Sequence, residues 1–376
     1  MQLVITALKF MRFDKPKSIG ALFGVVISIF LIGQQTGIFT FLTNAMSYLV
    51  RTNRQYIWVT DDKTTNVNAL SPIDVRIGYE LESIPGVKKV YPLVLASGAA
   101  RFPDGTSSGL TIVGVSMPSF SGLNRAFLFE GSPADLVPDG AVTTDVFDAK
   151  ALGGSKRGDY FEINGKQVYI AAQTRGARGF GGIYSYTTAE RARYLGNVPA
   201  DKASAFLVEY EAGSDSTQLL KAITQQIPGV KAWLGDDFAR STVLTVLRSS
   251  GIAISFGTLI VFALVAGFVI IGLTLYSATI DRIRDYGTLK AIGATNAYVR
   301  RLILMQALIY ALIGFLIGYA LIEGFRLGIA QAGTLFTFSP LMRVLFFVLT
   351  AVIALSGTLF AIRRIVKLEP ASVFRG

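Results

Sequence analysis

The sequence predicts an α-helical membrane protein with four transmembrane helices and a large α/β (α+β) extracytoplasmic domain inserted between the first and second spans. Three observations predict it. Residues 18–50, 249–280, 302–322 and 344–362 contain no Asp, Glu, Lys or Arg. Each run is long enough to cross a hydrocarbon core of about 30 Å, which takes roughly 20 helical residues. Between the first two runs the composition is that of an ordinary soluble domain. The net charge of +11 is also unevenly placed: residues 51–248 hold 21 basic and 20 acidic residues, almost a balance. The remaining excess lies in the N-terminal arm, in 281–301 and in the tail after residue 362, where 13 basic residues face only Asp14, Asp281, Asp285 and Glu369.

A four-span topology puts those three basic segments on one side of the membrane. Cytoplasmic loops carry an excess of Lys and Arg, so both termini and residues 281–301 are expected in the cytoplasm of a bacterial inner (plasma) membrane. The large domain is then periplasmic. Nucleic acid is not expected as a partner, because the outer domain carries no basic face.

The first element, residues 1–17, interleaves Leu3, Ala7, Leu8, Phe10 and Met11 with Lys9 and Arg12. That pattern fits a cytoplasmic amphipathic arm lying on membrane lipid, or simply an apolar leader to the first span. The following apolar run is too long for a signal-peptide core, so it reads as an uncleaved anchor. The first span with its stalk (18–50) and the stalk with the second span (241–280) exceed the membrane thickness and should continue outward as helices. Gly20/Gly24 and Gly33/Gly37 give the first span two GxxxG pairs, a candidate dimer or helix-packing face. Gln34 and Gln35 on the same span need partners or water.

In the outer domain (51–240) the pentapeptide IPGVK occurs at 84–88 and again at 227–231, each time after a helical pattern and before an apolar run. The reading is helix, Pro-Gly stop, strand, with the two ends of the domain joining as one α/β subdomain. Residues 96–206 alternate apolar and polar, punctuated by PDG at 103–105 and 138–140 and by Asn164-Gly165, which suggests a β-rich subdomain with hairpins. The run from Gly176 to Gly182 is either a flexible hairpin tip or a docking loop. Arg175, Arg178 and Phe180 are its candidates for contacting an adaptor.

Cysteine and histidine are both absent. Thiol nucleophiles, His-dependent triads and the usual zinc sites are therefore excluded, and no metal site is expected. No G-x-x-x-x-G-K-[ST] loop occurs, so nucleotide phosphate has no Walker cradle. The chain is not expected to be an enzyme or to bind a cofactor itself.

Residues 281–301 carry the most specific pattern. Asp281, Arg282, Arg284 and Asp285 alternate in charge, followed by Tyr286-Gly287 and by Lys290, Ala291, Gly293 and Ala294, running into the third span. This resembles the signature of FtsX-like ABC transporter permeases of the MacB, LolC/LolE and DevC class. Their pattern is approximately E-R-x-R-E-x-G-x-x-x-A-x-G-A, with Asp here in place of both Glu residues. Gln306 in QALI, the TLKAIGA segment and the LEPASVF ending are most similar to the DevC branch. The third span (302–322), short outer loop (323–343), fourth span (344–362) and cytoplasmic tail (363–376) complete the same layout.

The resemblance implies a homodimeric permease subunit of an ABC exporter working with two copies of a separate ATPase subunit, which would hold the ATP and Mg. It also implies a periplasmic membrane-fusion adaptor, an outer-membrane channel and a lipid-like or amphiphilic substrate. Candidate ATPase-coupling residues are Asp281, Arg282, Arg284, Asp285, Tyr286, Gly287, Lys290, Ala291 and Gly293, with Pro370 and Phe374 of the tail. Two other readings stay open: a mechanical regulator of a cell-wall hydrolase, like the FtsX branch, and a membrane-anchored enzyme using outer-domain carboxylates or Ser/Lys.

Overall fold

The computed structural model describes residues 2–13, 15–180, 182–281 and 283–366. The chain begins with α1 (Gln2–Phe13), α2 (Lys15–Met46) and α3 (Tyr48–Arg51). Next come β1 (Ile57–Asp61), β2 (Ile73–Asp74), α4 (Ile77–Glu82), β3 (Val87–Arg101), β4 (Ser107–Val115), β5 (Leu128–Glu130), β6 (Ala141–Asp145), β7 (Tyr160–Ile163) and β8 (Lys166–Thr174). They lead into β9 (Arg178–Gly179), β10 (Gly182–Thr188), α5 (Ala189–Gly196), β11 (Lys202–Ala203), β12 (Ala205–Tyr210), α6 (Ser216–Gln226), β13 (Val230–Leu234) and α7 (Gly235–Ser250). The chain closes with α8 (Ile252–Asp281), α9 (Ile283–Ala291), α10 (Asn296–Ala330) and α11 (Pro340–Val366). It divides at Thr40/Phe41 and Ile252/Ala253 into two compact units.

The first unit contains the apolar helices. α2, α8, α10 and α11 are each long and apolar enough to cross a membrane, and the α/β domain is inserted between the first and second of them. Small residues fix the seam between α2 and α10. A side chain at Gly314 would overlap Val25, and one at Gly318 would overlap Ile29. Within lipid, apolar side chains gain little by leaving the surrounding hydrocarbon, so such close approach is what holds spans together. Hydroxyls in these helices bond back along their own turn. Ser28 Oγ donates to the Gly24 carbonyl, and Thr350 Oγ1 to that of Phe346, each at 2.7 Å, which removes the cost of a bare hydroxyl. Tyr310 on α10 donates to Ser18 Oγ at 2.7 Å, and Ser18 in turn donates to the Met11 carbonyl.

In the second unit one long strand, β3, serves two cores. Its first half lies in the antiparallel order β13-β1-β12-β3, covered by α4 and α6. Leu81, Ile84, Leu219, Ile223 and Ile227 pack there against Ile57, Val59 and Phe206. Both IPGVK segments sit in this core, and Gly86 and Gly229 take φ of +91° and +78°, values that favour glycine and let the chain turn from helix to strand. The second half of β3 pairs with β4 and packs with α5, β7 and β8 through Val94, Ile112, Val142, Phe161 and Ile170.

The turn residues act unequally. Residues 103–105 close the β3–β4 hairpin, with Gly105 at φ +85°. Asn164 and Gly165, at φ +52° and +75°, close β7–β8 as a two-residue turn. The PDG at 138–140 does not close a hairpin; it leads into β6, which pairs in parallel with β8. β10 likewise pairs in parallel with β4. Local alternation reports burial of one strand face and carries no information about a parallel partner far along the chain.

Candidate functional site

The charged segment after the second span is a helix, not an open loop. α9 ends in a Schellman motif, in which the Gly293 amide donates to the Lys290 carbonyl (3.0 Å) and the Ala294 amide to that of Leu289 (2.9 Å). Gly293 adopts φ +104°, so its presence is explained by the turn itself. Thr295 then caps α10 by accepting from the Tyr298 amide. The hydrophobic partners expected of this motif, Leu289 and Ala294, both pack on the core at this end of the unit.

Helical spacing sorts the candidate residues onto two faces. Asp281, Arg284, Asp285, Ala291 and Gly293 are exposed. Thr288 joins them, its hydroxyl donating to the Arg284 carbonyl at 2.9 Å. Tyr286 and Gly287 do not share that face. Tyr286 is 1% exposed and packs with Ala7, Val299, Leu302, Ile303 and Ile362, which ties α9 to α1, α10 and α11. Tyr286 therefore packs as an anchor on the inner face of α9. Lys290 is half-buried, and burial pulls its ammonium below the ordinary lysine range. Arg282, Pro370 and Phe374 lie outside the described residues.

One residue was missed by the sequence reading. Ile292 is 78% exposed at the tip between α9 and α10. A β-branched apolar residue directly before a helix-ending glycine is the signal that could have found it, since the turn projects that side chain away from the core.

The second candidate surface is less open. Within this run Arg178 and Gly179 form β9 and pair antiparallel with Ile183 and Gly182 of β10, but the Arg178 side chain is drawn inward. It forms an ion pair with Asp148, a carboxylate only 3% exposed, and its Nε donates to Asp148 Oδ1 at 3.0 Å. Arg175 is exposed and stacks over Phe129, 4.3 Å from the ring centre; Phe180 is half-buried. The glycines of the first span are also engaged within the chain. A side chain at Gly33 would overlap Ile322 and one at Gly37 would overlap Phe336, while Gly24 is buried and Gly20 half-buried. The structure therefore accounts for Gly33 and Gly37 without a second copy. Among the described residues no cluster of three or more acidic residues could hold a metal ion.

The exposed strip of α9 lies in the chain between the second and third of the four candidate spans. Residues 257–370 match the family model "FtsX-like permease C-terminal". This stretch is similar to the C-terminal part of FtsX-like permeases. No curated protein matches the chain. Among solved structures, the periplasmic region of MacB from Actinobacillus actinomycetemcomitans is similar at 11% identity and TM-score 0.40, over 54% of this chain and 96% of that one. The extracellular domain of the noncanonical ABC-type transporter YknZ from Gram-positive bacteria is similar at 14% identity and TM-score 0.35, over 47% and 98%. Both likenesses are distant. The permease match runs through α8, α9, α10 and α11, so it includes the whole of the patterned segment.

Proposed function

We propose that this chain is the membrane subunit of an ABC exporter in a bacterial inner membrane, with the exposed strip of α9 as its ATPase-coupling surface. One observation carries the reading. Arg284, Asp285, Thr288, Ala291 and Ile292 face outward on a helix whose opposite face is locked by Tyr286 into α1, α10 and α11. A push on that strip is delivered to three other helices at once. Charged groups at the rim of such a contact set register and recognition, and a central apolar side chain such as Ile292 supplies much of the affinity.

In this reading two copies of the permease pair with two ATPase subunits, which bind the ATP and Mg. ATPase closure moves the domain carried between α2 and α8, placed in the periplasm by the charge bias of the sequence. That motion drives an amphiphilic substrate outward through an adaptor and an outer-membrane channel, as in the DevC branch. The bare outer face of α8, where Ile254, Val261, Phe262 and Leu273 are more than half exposed, is the proposed packing surface for lipid or for the second copy.

The test is co-purification of the full chain with candidate ABC ATPase subunits. Wild type is compared with Asp285→Lys and with Ile292→Asp, both at exposed positions that leave the Tyr286 anchor intact. Capture by wild type and loss in either variant supports the coupling surface. Equal capture by all three places the contact elsewhere, and no capture by any form removes the exporter reading in favour of a domain that acts through another partner.

A further inference from the structure

Within the α/β unit a groove crosses β3 between α4 and α5. It consists of two adjoining cavities of about 260 and 390 Å³ that share Val90, Pro92 and Arg193, in the size range of small-molecule sites. Tyr91, Val115 and Phe206 extend its apolar lining. Along the rim Tyr79, Met117 and Val137 are 76%, 49% and 49% exposed, so apolar surface continues out of the groove into solvent.

Arg193 stands in the wall common to both cavities. Its neighbour Arg191 is held through a terminal nitrogen, which donates to the carbonyls of Leu136 and Ala141 at 2.9 Å and to the Thr187 hydroxyl at 3.1 Å. Arg193 is not. Its Nε donates to the Lys202 carbonyl at 3.1 Å, but among the described residues its terminal nitrogens have no hydrogen-bond acceptor and it forms no ion pair. Glu82 and Glu190 line the outer parts of the cavities, opposed by Lys89. Among the described residues neither carboxylate forms a salt bridge with Arg193, although the charge of Glu190 acts on it. Partial burial pulls the Arg193 guanidinium below its ordinary range, opposed by the charge of Glu190.

We propose that this groove binds a single-chain anionic amphiphile, with its carboxylate or phosphate head on the terminal nitrogens of Arg193 and its hydrocarbon chain along Val90, Pro92 and Met117. A planar guanidinium offers two parallel N–H donors to such a head. The apolar rim accepts a chain that would otherwise stay in water. The site stands on its own residues; only the step that makes its ligand the transported substrate rests on the exporter reading.

The experiment uses the full chain in lipid nanodiscs and a photoreactive diazirine fatty acid, with its methyl ester as the uncharged control. Labelled residues are located by mass spectrometry. The acid is expected to label the groove around Tyr79, Tyr91, Met117 or Val137, and the ester is not. Arg193→Glu should lower that labelling at least about tenfold, the effect of losing a charge-assisted pair, while Arg193→Lys should retain most of it. Met117→Trp fills the groove from the opposite wall and should abolish labelling even if Arg193→Glu fails to fold. Labelling by acid and ester alike, labelling confined to α2, α8, α10 and α11, or undiminished labelling in Met117→Trp would each overturn the proposal. Groove labelling in a chain that captures no ATPase keeps the site and removes the exporter; ATPase capture without groove labelling does the reverse.

Discussion

The two segments that the sequence marks as partner surfaces, α9 and the run containing β9, treat their charges in opposite ways. On α9 the aromatic residue turns in and the charges turn out: Tyr286 is buried, whereas Arg284 and Asp285 are exposed. In β9 the main cation turns in, and Arg178 meets the buried Asp148. The difference lies in backbone periodicity. A helix of nine residues presents two faces, so a patterned segment can bury an anchor and still display a charged strip. The two-residue strand β9 is too short to do both: Arg178 goes to Asp148, and only Arg175, outside the strand, stays exposed. Charge in a sequence motif therefore marks an available surface only where the backbone can also supply an anchor.

The strongest way to break this comparison is Arg178→Ala. It leaves Asp148 buried without its partner, and among the described residues Asp148 Oδ2 already lacks a hydrogen bond. Breaking a buried pair from one side costs about 3 kcal/mol or more, so chemical unfolding of the full chain should shift strongly. Arg175→Ala, which removes only a stacked and exposed cation, should cost less than about 1 kcal/mol. Equal, small effects from both would mean that Arg178 is free for a partner and that this run resembles α9 after all.

Next in size is Tyr286→Ala. Emptying the space of a buried aromatic ring costs roughly 3 kcal/mol where the surroundings cannot collapse, while Asp285→Ala at an exposed position should stay within about 0.5 kcal/mol. Thermal unfolding in detergent separates the two. ATPase capture should be lost in the Asp285→Lys variant without any change in melting. A stable Tyr286→Ala chain would show that α9 is not anchored as described.

How much of this was legible follows from what each environment demands. Lipid demands uniformly apolar helices, so the four charge-free runs disclosed the fold class directly. It does not disclose which spans touch. α8 and α10 read alike, yet the most apolar stretch of α8 is 11% buried and that of α10 is 44%. Only the register of Ala307, Ala311, Gly314 and Gly318, which puts small residues on one side of α10, hints at the difference. The helix–Pro-Gly–strand units were readable because Gly86 and Gly229 mark turns locally. The parallel pairs β6–β8 and β4–β10 were not, since their partners are distant in the chain. In the candidate site the charges of α9 were readable, but the inward turn of Tyr286 and the outward turn of Ile292 depend on where α10 begins after the Gly293 turn.

Gly293→Ala probes that turn with a smaller effect. At φ +104° no neighbouring atom lies within 4 Å of an added Cβ, so the cost is backbone strain alone, about 1–2 kcal/mol. Stability should fall by that amount, and ATPase capture should weaken because Ile292 and Ala291 lose their fixed placement. By contrast, Gly257→Ala on α8, also with open space at its Cβ and no positive φ, should be neutral or slightly stabilising. If both substitutions are neutral, the turn does not hold the strip in place.

The smallest effect concerns a charge intermediate between the two cases. Lys88 donates to Glu209 at 2.6 Å, and Tyr91 donates to the same carboxylate at 2.8 Å. The Lys88 bond first, and then the Tyr91 bond, hold the Glu209 carboxyl below the usual glutamate range. A carboxylate with a depressed folded value stabilises the fold above its unfolded value, near 4.5, and that contribution is lost as pH falls through the folded value. Lys88 is exposed and Glu209 half-buried, so solvent screening keeps the contribution small. Wild type should melt slightly above Glu209→Gln at pH 7, and the gap should close as the pH is taken below 4.5. A gap that persists at low pH would assign the stabilisation to packing of the Glu209 stem. The pair would then belong with neither the engaged charge of Arg178 nor the displayed charges of α9.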